Sequence, residues 1–172
     1  MNDTFLPGNG FDTYEEQDRV LMGLSGSVRS GVAVRILQQQ GFAVAAAVVR
    51  LADTPEEHAA AEAAKALAKK LDVECLTLNA EALAGQDAEA ARFAALLTAA
   101  DKLGIQYVAS GHYARMETDT QGVSHLFPPE SGAPDESDRL AALSPEVLTR
   151  LILPLGDFAP EDVAEMAEDF KL

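Results

Sequence analysis

The sequence predicts an α/β fold in which a parallel sheet carries helices on both faces, giving three layers. Short apolar runs alternate four times with segments of helical periodicity, and parallel strands need crossover helices of this kind. The run 42–51 is apolar almost throughout, which is typical of a strand covered on both faces. The chain has 172 residues, of which 48% are hydrophobic, and this length suits one domain with its own core.

The N-terminal residues differ in composition from the rest. Residues 1–18 contain one proline and two glycines among polar and acidic residues, which predicts an extended arm with a short helix near 13–17. No basic flank precedes an apolar stretch there, so we expect no signal peptide. Residues 19–172 are predicted to form a single domain.

The next segment predicts a strand, a turn, a helix and a second strand. The apolar run 20–24 is the first strand, and a Ser/Gly-rich turn over 25–30 follows it. Apolar residues at helical spacing predict a helix over 31–40 with Gly41 at its C-cap. The apolar run described above is the second strand.

A capping box opens the second helix. Thr54 is the predicted N-cap, Pro55 occupies the first helical position, and Glu57 stands three residues after Thr54. We expect this helix to reach Lys70, since Lys69 and Lys70 suit the negative end of its dipole.

The alternation then continues to a fourth strand. Residues 73–78 predict the third strand, residues 87–103 a third long helix ended by Gly104, and residues 105–110 the fourth strand. Ligands of such sheets bind at the carboxyl ends of the strands, so we expect a site there.

The C-terminal third breaks the alternation. A short hairpin is predicted around Gly122, and the Pro/Gly/Ser-rich segment 128–137 predicts a flexible loop, either a lid or a connector. A helix is predicted to start at Ser144 and Pro145, a turn covers 152–158, and a last helix covers 160–170.

Acidic residues dominate the charge. Thirteen Lys and Arg stand against 28 Asp and Glu, a formal net charge of −15, and such a chain repels polyanions at long range. No apolar run approaches the roughly 20 residues that cross a bilayer, and the single cysteine, Cys75, excludes an internal disulfide. We expect a cytoplasmic protein without a membrane partner.

The turn at 25–30, Ser-Gly-Ser-Val-Arg-Ser, predicts an anion site. It lies between a strand and a helix, so its N–H groups and hydroxyls converge on the positive end of the helix dipole. It is not a Walker A loop, because no Gly-Lys-Ser/Thr follows. Phosphate binding and simple helix capping both fit the turn.

Three further motifs, in order, make residues 20–172 resemble the N-terminal domain of tRNA-specific 2-thiouridylases. Those enzymes are PP-loop ATP pyrophosphatases, whose loop reads Ser-Gly-Gly-x-Asp-Ser. Residues 109–115 read Ala-Ser-Gly-His-Tyr-Ala-Arg, similar to the family's Ala-Thr-Gly-His-Tyr-Ala-Arg. Residues 134–137, Pro-Asp-Glu-Ser, resemble its Lys-Asp-Gln-Ser, and residues 153–156, Leu-Pro-Leu-Gly, resemble its Phe-Pro-Leu-Gly.

The resemblance implies a Rossmann-like HUP domain, of the adenine nucleotide alpha-hydrolase type, that binds ATP or AMP. In the family, ATP adenylates the C2 oxygen of a tRNA uridine and a cysteine persulfide delivers sulfur. Val49 would lie near the adenine, and Gly111 would let the nucleotide approach the fourth strand. The residues that the resemblance assigns to phosphate are Gly23, Leu24, Ser25, Gly26, Ser27, Val28, Arg29 and Ser30.

Three substitutions alter this implied chemistry. Ser27 replaces a loop glycine, which costs about 1 kcal/mol or more if the position has a positive φ. Arg29 replaces an aspartate, so a cation that attracts phosphate stands where a carboxylate would help to hold magnesium. Pro134 replaces a lysine that would stabilise charge on the transferring phosphate. We therefore assign no catalytic residue and expect no metal ion.

The sulfur relay of the family is also altered. Residues 78–97 contain no cysteine where the family has a Thr-Pro-Asn-Pro-Cys segment, and the sequence ends before the family's tRNA-binding and β-barrel domains. Cys75 is expected to be a buried structural side chain, because burial makes a thiol a poor nucleophile.

Two other residues are candidates for a supporting role at the site. His112 follows a glycine at the edge of the fourth strand and is expected to shape the site. Arg50 ends the second strand, where it and Arg29 either form a positive spot over one edge or are ordinary solvated side chains. His58 and His125 lack the spacing of metal ligands.

Three hypotheses about function follow. The favoured one is a degenerate, non-catalytic PP-loop domain that binds an adenine nucleotide or another small phosphate-bearing ligand as a regulatory or assembly module, and that does not bind tRNA by itself. The second is an active ATP-dependent tRNA uridine 2-sulfurtransferase of the adenylation type, or half of a split enzyme whose partner chain supplies sulfur and RNA binding. The third is a structural protein that has lost the pocket and forms a homo-oligomer.

Overall fold

The computed structural model describes residues 18–129 and 133–172. Within them a parallel sheet is flanked by helices, and a separate hairpin follows. In chain order the elements are β1 (Arg19–Gly23), α1 (Val28–Gln39), β2 (Ala43–Arg50), α2 (Pro55–Leu71), β3 (Cys75–Asn79), α3 (Ala88–Leu103), β4 (Tyr107–Ala109), β5 (Arg115–Thr118), β6 (Ser124–Phe127), α4 (Pro145–Arg150), β7 (Leu151–Ile152) and α5 (Pro160–Asp169). Short 3-10 helices occupy Glu81–Leu83 and Ser137–Leu140.

The described part of the sheet has five strands in the order β3-β2-β1-β4-β7, and every pairing is parallel. Leu21 in β1 is opposite Ala45 in β2 and Val108 in β4. From β1 the chain moves outward to β3, then crosses to β4 on the other side. The strand order therefore reverses between β1 and β4, and such a reversal leaves a crevice at the carboxyl ends of the strands. The predicted α/β class is confirmed.

Side chains of β1 enter two hydrophobic clusters, one on each face of the sheet. Val20 and Met22 belong to the cluster beneath α1, α2 and α5, whereas Leu21 belongs to the cluster beneath α3 and α4. All three are fully buried. Alternate residues of a strand point to opposite faces, so a strand covered on both sides must be apolar throughout, as the sequence predicted.

Helix α1 begins earlier than predicted, at Val28 rather than at residue 31. The side chain of Ser27 accepts a hydrogen bond from the N–H of Ser30, so Ser27 is the N-cap and the end of the turn is already helical. At the other end Gln40 is the cap and Gly41 follows it with φ +99°.

Helix α2 has only half of the predicted capping box. The Thr54 side chain accepts from the N–H of Glu57, as predicted. The carboxylate of Glu57 does not return to Thr54, because its Oε1 accepts the N–H of Leu51 at 2.7 Å. This bond ties the start of α2 to the end of β2.

The C-terminal third contains the predicted hairpin, β5 and β6, and one strand that the sequence analysis missed. Strand β7 has two residues, one of them inside the predicted 152–158 turn, and Leu151 pairs with Val108 of β4. Helix α4 starts at Pro145 with Ser144 as its N-cap, as predicted, and α5 starts at Pro160 as predicted and ends one residue earlier. The predicted N-terminal arm and residues 130–132 of the predicted 128–137 loop lie outside the described residues.

Candidate functional site: a cleft at the switch point of the sheet

A cleft of about 280 Å³ opens at the carboxyl ends of β1, β2 and β4. It lies where the strand order reverses, as expected for a parallel sheet. Eight of the ten residues predicted to bind nucleotide or phosphate line it, and so does His112. Those eight are Gly23, Leu24, Ser25, Ser27, Arg29, Ser30, Val49 and Gly111. Gly26, Val28 and Arg50 are not among the lining residues.

The cleft has an apolar half and a polar half. Val48 and Val49 from the end of β2 form the apolar half with Phe93 and Leu96 from α3. The polar half is the Ser/Gly turn together with charged side chains from α2, α3 and the 3-10 helix at Ser137–Leu140. A ligand with an apolar ring and an anionic group matches this division.

The turn holds its hydroxyls close together. The Oγ atoms of Ser25 and Ser27 are 2.8 Å apart, and Ser25 Oγ accepts the N–H of Ser27. Ser30 Oγ lies 2.9 Å from the carbonyl oxygen of Ser25 and 2.8 Å from that of Ser27, and its hydroxyl donates to these acceptors. Within the described residues, nothing accepts the N–H groups of Val28 and Arg29. Two free amides at a helix N-terminus are suited to an anion.

Ser27 occupies its position without strain. Its φ is −79° and its ψ is 148°, which is ordinary extended backbone and the usual conformation of an N-cap. The cost expected for a positive φ therefore does not arise. Ser27 supplies the cap hydroxyl for α1.

Gly26 is required by packing against α2. A Cβ built on Gly26 would lie 2.5 Å from the Cβ of Ala63. This contact turns Gly26 toward α2 and explains why it does not line the cleft. Gly23 is less constrained, because its Cβ would lie 2.8 Å from a terminal methyl group of Leu96, which can shift to make room.

Arg29 lines the cleft but already has partners. Its Nη1 and Nη2 each donate to Glu136 Oε2 at 3.3 Å, and its guanidinium carbon lies 4.6 Å from the centre of the Tyr113 ring. Its side chain is 34% exposed, and that of Glu136 is 12% exposed. Glu136 Oε1 also accepts the backbone N–H of Tyr113 at 2.8 Å. The segment after residue 133 is thereby attached to the cleft.

The ion pair between Arg29 and Glu136 is connected to further charged and polar side chains. Arg139 donates to Glu136 at 3.2 Å and to Glu89 at 3.0 Å. Glu89 also lies 3.1 Å from Nε2 of His112, whose Nδ1 is 2.7 Å from Ser110 Oγ. We call the residues Arg29, Glu136, Arg139, Glu89 and His112 the charge network of the cleft.

The charge network changes the acidity of two groups. The hydrogen bond from His112 is the main cause that lowers the pKa of Glu89, and Arg139 and Arg92 add to it, while burial acts in the opposite direction. Burial raises the pKa of Tyr113, and the neighbouring Arg29 opposes this. Glu89 is therefore held as a carboxylate between a histidine and an arginine.

Arg50 does not join Arg29 at the cleft. It lies 3.7 Å from Glu81 and contacts the carbonyl oxygen of Ala52 and the His58 ring, each at 3.5 Å. The joint positive spot considered from the sequence is not formed, because each arginine has a glutamate beside it.

The sequence analysis missed Glu89, Arg92 and Arg139 and did not assign Glu136 a role. Arg92 approaches Glu57 at 3.9 Å, so a second ion pair joins α3 to α2 at the cleft. A signal existed for Glu136, because it stands in the 134–137 motif that carried the resemblance. Glu89 lies in the first turn of α3, at the cleft edge.

Metal ligands are not grouped in the part of the chain that the structure describes, where no three His, Cys, Asp or Glu residues could hold an ion. Both carboxylates that line the cleft are engaged, Glu57 with Leu51 and Arg92 and Glu89 with His112 and Arg139. Asp53 and His58 pair with each other at 2.5 Å on the exposed surface.

Cys75 lies outside the cleft, on β3, a strand that contributes no residue to the cleft lining. It is the first residue of β3, whereas the cleft lies at the carboxyl ends of the strands. Burial raises the pKa of its thiol. Its Sγ lies 3.8 Å from the carbonyl oxygen of Leu76. It is half-buried rather than fully buried as predicted.

The parallel sheet, its helical layers and its switch-point cleft define an α/β domain of the HUP class. A family model described as the tRNA methyl transferase HUP domain matches residues 86–172. The chain belongs to this family, and the resemblance to 2-thiouridylases is confirmed.

Two curated relatives are tRNA-specific 2-thiouridylases, each from a Yersinia species. The tRNA-specific 2-thiouridylases MnmA of Yersinia pestis (strain Pestoides F) and Yersinia pseudotuberculosis (serotype O:1b, strain IP 31758) are each 33% identical to this chain over 184 residues. The alignments cover 91% of this chain and 49% of each relative. The chain therefore spans about half the length of the curated relatives it matches.

Two solved structures share the fold. The U34-tRNA thiolase NcsA from Methanococcus maripaludis, determined with its [4Fe-4S] cluster, has a TM-score of 0.61 and 16% identity, covering 90% of this chain and 57% of that one. A predicted subunit of tRNA methyltransferase from Methanocaldococcus jannaschii has a TM-score of 0.50 and 14% identity, covering 88% and 76%. At these identities the likeness concerns the fold alone. In the described residues, no helix is long and apolar enough to cross a membrane.

Proposed function

We propose that this chain is a degenerate 2-thiouridylase-like PP-loop domain, acting in the cytoplasm, that binds an adenine nucleotide or another small phosphate ester without catalysing sulfur transfer. The apolar half of the cleft would take the base beside Val49, and the Ser25–Ser30 turn would take the phosphate. The domain would then act as a regulatory or assembly module, with ligand occupancy as its signal.

The ion pair between Arg29 and Glu136 is the observation that carries the proposal. At these two positions the family's motifs have an aspartate and a glutamine. The substitutions are matched, because the new cation and the new anion lie 3.3 Å apart. A matched exchange supports a remodelled site over random decay, since random loss would leave an unpaired charge, which is costly when partly buried.

Magnesium is not part of the proposed binding mode. Mg²⁺ in nucleotide sites is held by one or two carboxylates together with phosphate oxygens. Glu57 and Glu89 each already have a cationic partner. Arg29 is a cation that can contact phosphate directly through charge-assisted hydrogen bonds.

Calorimetric titration with ATP, AMP and pyrophosphate, each with and without magnesium, tests this function. We expect at least one of these ligands to bind without magnesium and to release no pyrophosphate. Binding of ATP only with magnesium, followed by release of pyrophosphate, would contradict the proposal.

A second candidate function rests on the relatives. Because the curated relatives are 2-thiouridylases, the chain is alternatively an ATP-dependent adenylating enzyme, or one half of a split tRNA uridine 2-sulfurtransferase. A partner chain would then supply sulfur and RNA binding. Pyrophosphate release that depends on added tRNA favours this candidate over the first.

The third hypothesis, a structural protein that assembles with itself through other surfaces, is favoured by one observation. Glu136 neutralises the cation of the turn, so an occupied cleft is not needed to stabilise Arg29. Failure of every anion to bind, together with a stable homo-oligomer in light scattering, would support this hypothesis instead.

A further inference from the structure

We infer that Glu136 determines which anions the cleft accepts, and that it favours phosphate monoesters of low charge over polyphosphates. The inference rests on the proposed function, because it concerns the same turn and the same ligand class. It adds the residue that sets the selectivity and the charge limit of the ligand.

Glu136 does not line the cleft itself but is held firmly beside it, against the lining residues Arg29 and Arg139. Its carboxylate accepts from the backbone N–H of Tyr113 at 2.8 Å, from Arg29 at 3.3 Å and from Arg139 at 3.2 Å. Its side chain is 12% exposed. A buried carboxylate with three donors is well satisfied, so an arriving anion must compete for its arginines.

The charges around the polar half cancel. Arg29 and Arg139 carry two positive charges, and Glu136 and Glu89 carry two negative charges, in one connected set of ion pairs. The second pair, Arg92 with Glu57, is also neutral. The polar half therefore offers no surplus positive charge to a ligand.

The charge of the ligand determines how unfavourable its binding to this neutral polar half is. A single phosphate can take the free amide of Arg29 and one face of its guanidinium while Glu136 keeps part of its contacts. A metal-free triphosphate brings additional negative charge close to Glu136 and Glu89, and like charges in a partly buried site repel strongly. Removal of the Glu136 charge should therefore help a triphosphate more than a monophosphate.

Tyr113 provides an optical signal for the same contact. Arg29 lies over its ring at 4.6 Å, and its N–H binds Glu136. A ligand that draws Arg29 away from Glu136 changes the environment of this ring. The chain contains three tyrosines and no tryptophan, so a change at one ring is visible in the near-ultraviolet difference spectrum.

The test compares Glu136→Gln with Glu146→Gln. Both remove one carboxylate charge, but Glu136 forms ion pairs with Arg29 and Arg139, whereas Glu146 is an exposed residue of α4 with no ion pair to a cleft arginine in the described residues. AMP and metal-free ATP are titrated by calorimetry, with the tyrosine difference spectrum as a second readout. We expect Glu136→Gln to bind ATP roughly tenfold tighter than the natural chain, to gain less for AMP, and to show a smaller tyrosine change, while Glu146→Gln stays within about twofold.

A third variant shows whether the gain acts through Arg29. In the Arg29→Gln background, Glu136→Gln should give a smaller gain, because the repulsion by Glu136 is still removed but there is no Arg29 cation to release. Glutamine keeps an oxygen for the Tyr113 N–H, and thermal unfolding of each variant checks that the fold is retained. A Glu136→Gln gain that is as large without Arg29 as with it would overturn the inference that Glu136 acts through Arg29.

The outcomes separate this inference from the proposed function. If the natural chain binds AMP and Glu136→Gln leaves the ATP-to-AMP preference unchanged, the selectivity role is wrong and the binding function stands. If only Glu136→Gln binds, Glu136 acts as inferred but the natural chain is not a binding module for these ligands. If neither protein binds either nucleotide, both the selectivity inference and the proposed binding function are wrong.

Discussion

At the level of single residues, the charge of Arg29 in the turn is balanced by Glu136, which lies far from it in the sequence. The hydroxyls and the arginine of residues 25–30 are local features, visible wherever a Ser/Gly turn precedes a helix. The partner of Arg29 lies 107 residues further along the chain. Only the fold brings Glu136 to α1, so the analysis described Arg29 as a free cation when it is half of an ion pair.

Arg29→Asp tests the role of the arginine in binding. The change removes a charge-assisted donor and places a second carboxylate beside Glu136, so metal-free phosphate binding should weaken by about 1.5 to 3 kcal/mol. Calorimetry with AMP measures the loss, and a magnesium dependence that appears only in the variant would indicate that the family's metal chemistry has been partly restored. An unchanged affinity would show that Arg29 does not contact the ligand.

Glu89→Gln tests the charge network through acid stability. The pKa of Glu89 is lower in the folded chain than its ordinary value of 4.5, chiefly because of the hydrogen bond from His112. A carboxyl with a depressed pKa stabilises the fold above its unfolded pKa, and this contribution is lost as the pH falls through the folded value. Below pH 4.5 the natural chain should therefore lose stability more steeply than Glu89→Gln. Urea unfolding at several pH values measures the free energy of unfolding of both proteins. The same dependence on pH in both would contradict the role assigned to Glu89.

At the level of secondary-structure elements, the features that were predicted correctly are helix ends, which depend on residues that are neighbours in the sequence. Helix α2 begins with Thr54 and Pro55, and α3 ends before Gly104, as their caps predicted. Strand β7 was missed because two residues are too short for any periodicity, and only pairing with β4 makes them a strand. The carboxylate of Glu57 was assigned to a cap because the sequence does not show that Leu51 is nearer.

Gly26→Ala tests the contact between the turn and α2. The added methyl group would overlap Ala63, at 2.5 Å between the two Cβ atoms, so we expect a loss of about 1 to 3 kcal/mol in the free energy of unfolding. Urea unfolding checks this. Ala63→Gly in the same chain removes the overlapping methyl group and should recover part of the loss, less the cost of glycine in a helix. If Gly26→Ala is as stable as the natural chain, the close approach is not a constraint.

At the level of the whole molecule, the fold was predictable because the central strands β1 and β2 are apolar in their interiors and the long helices α2 and α3 carry their own end signals. These features combine into one parallel sheet by general rules of connection. The ion pairs of the cleft could not be derived in this way. They join α1, α3 and the 3-10 helix at Ser137–Leu140, and their distances depend on how these elements pack.

The net charge of −15 leads to a prediction about tRNA. Binding of nucleic acid relies on basic side chains that neutralise phosphates, and Arg29, Arg50, Arg92, Arg139 and Arg150 each have an acidic neighbour. We expect this 172-residue chain alone to give no gel shift with tRNA at physiological salt. With ATP, magnesium and a sulfur donor, it should form no 2-thiouridine detectable by mass spectrometry of tRNA nucleosides, because Cys75 does not line the cleft and burial raises the pKa of its thiol. A full-length 2-thiouridylase in parallel shows that the assay works. Thiolated uridine formed by this chain, and abolished by Cys75→Ser, would contradict both the non-catalytic assignment and the structural role given to the cysteine.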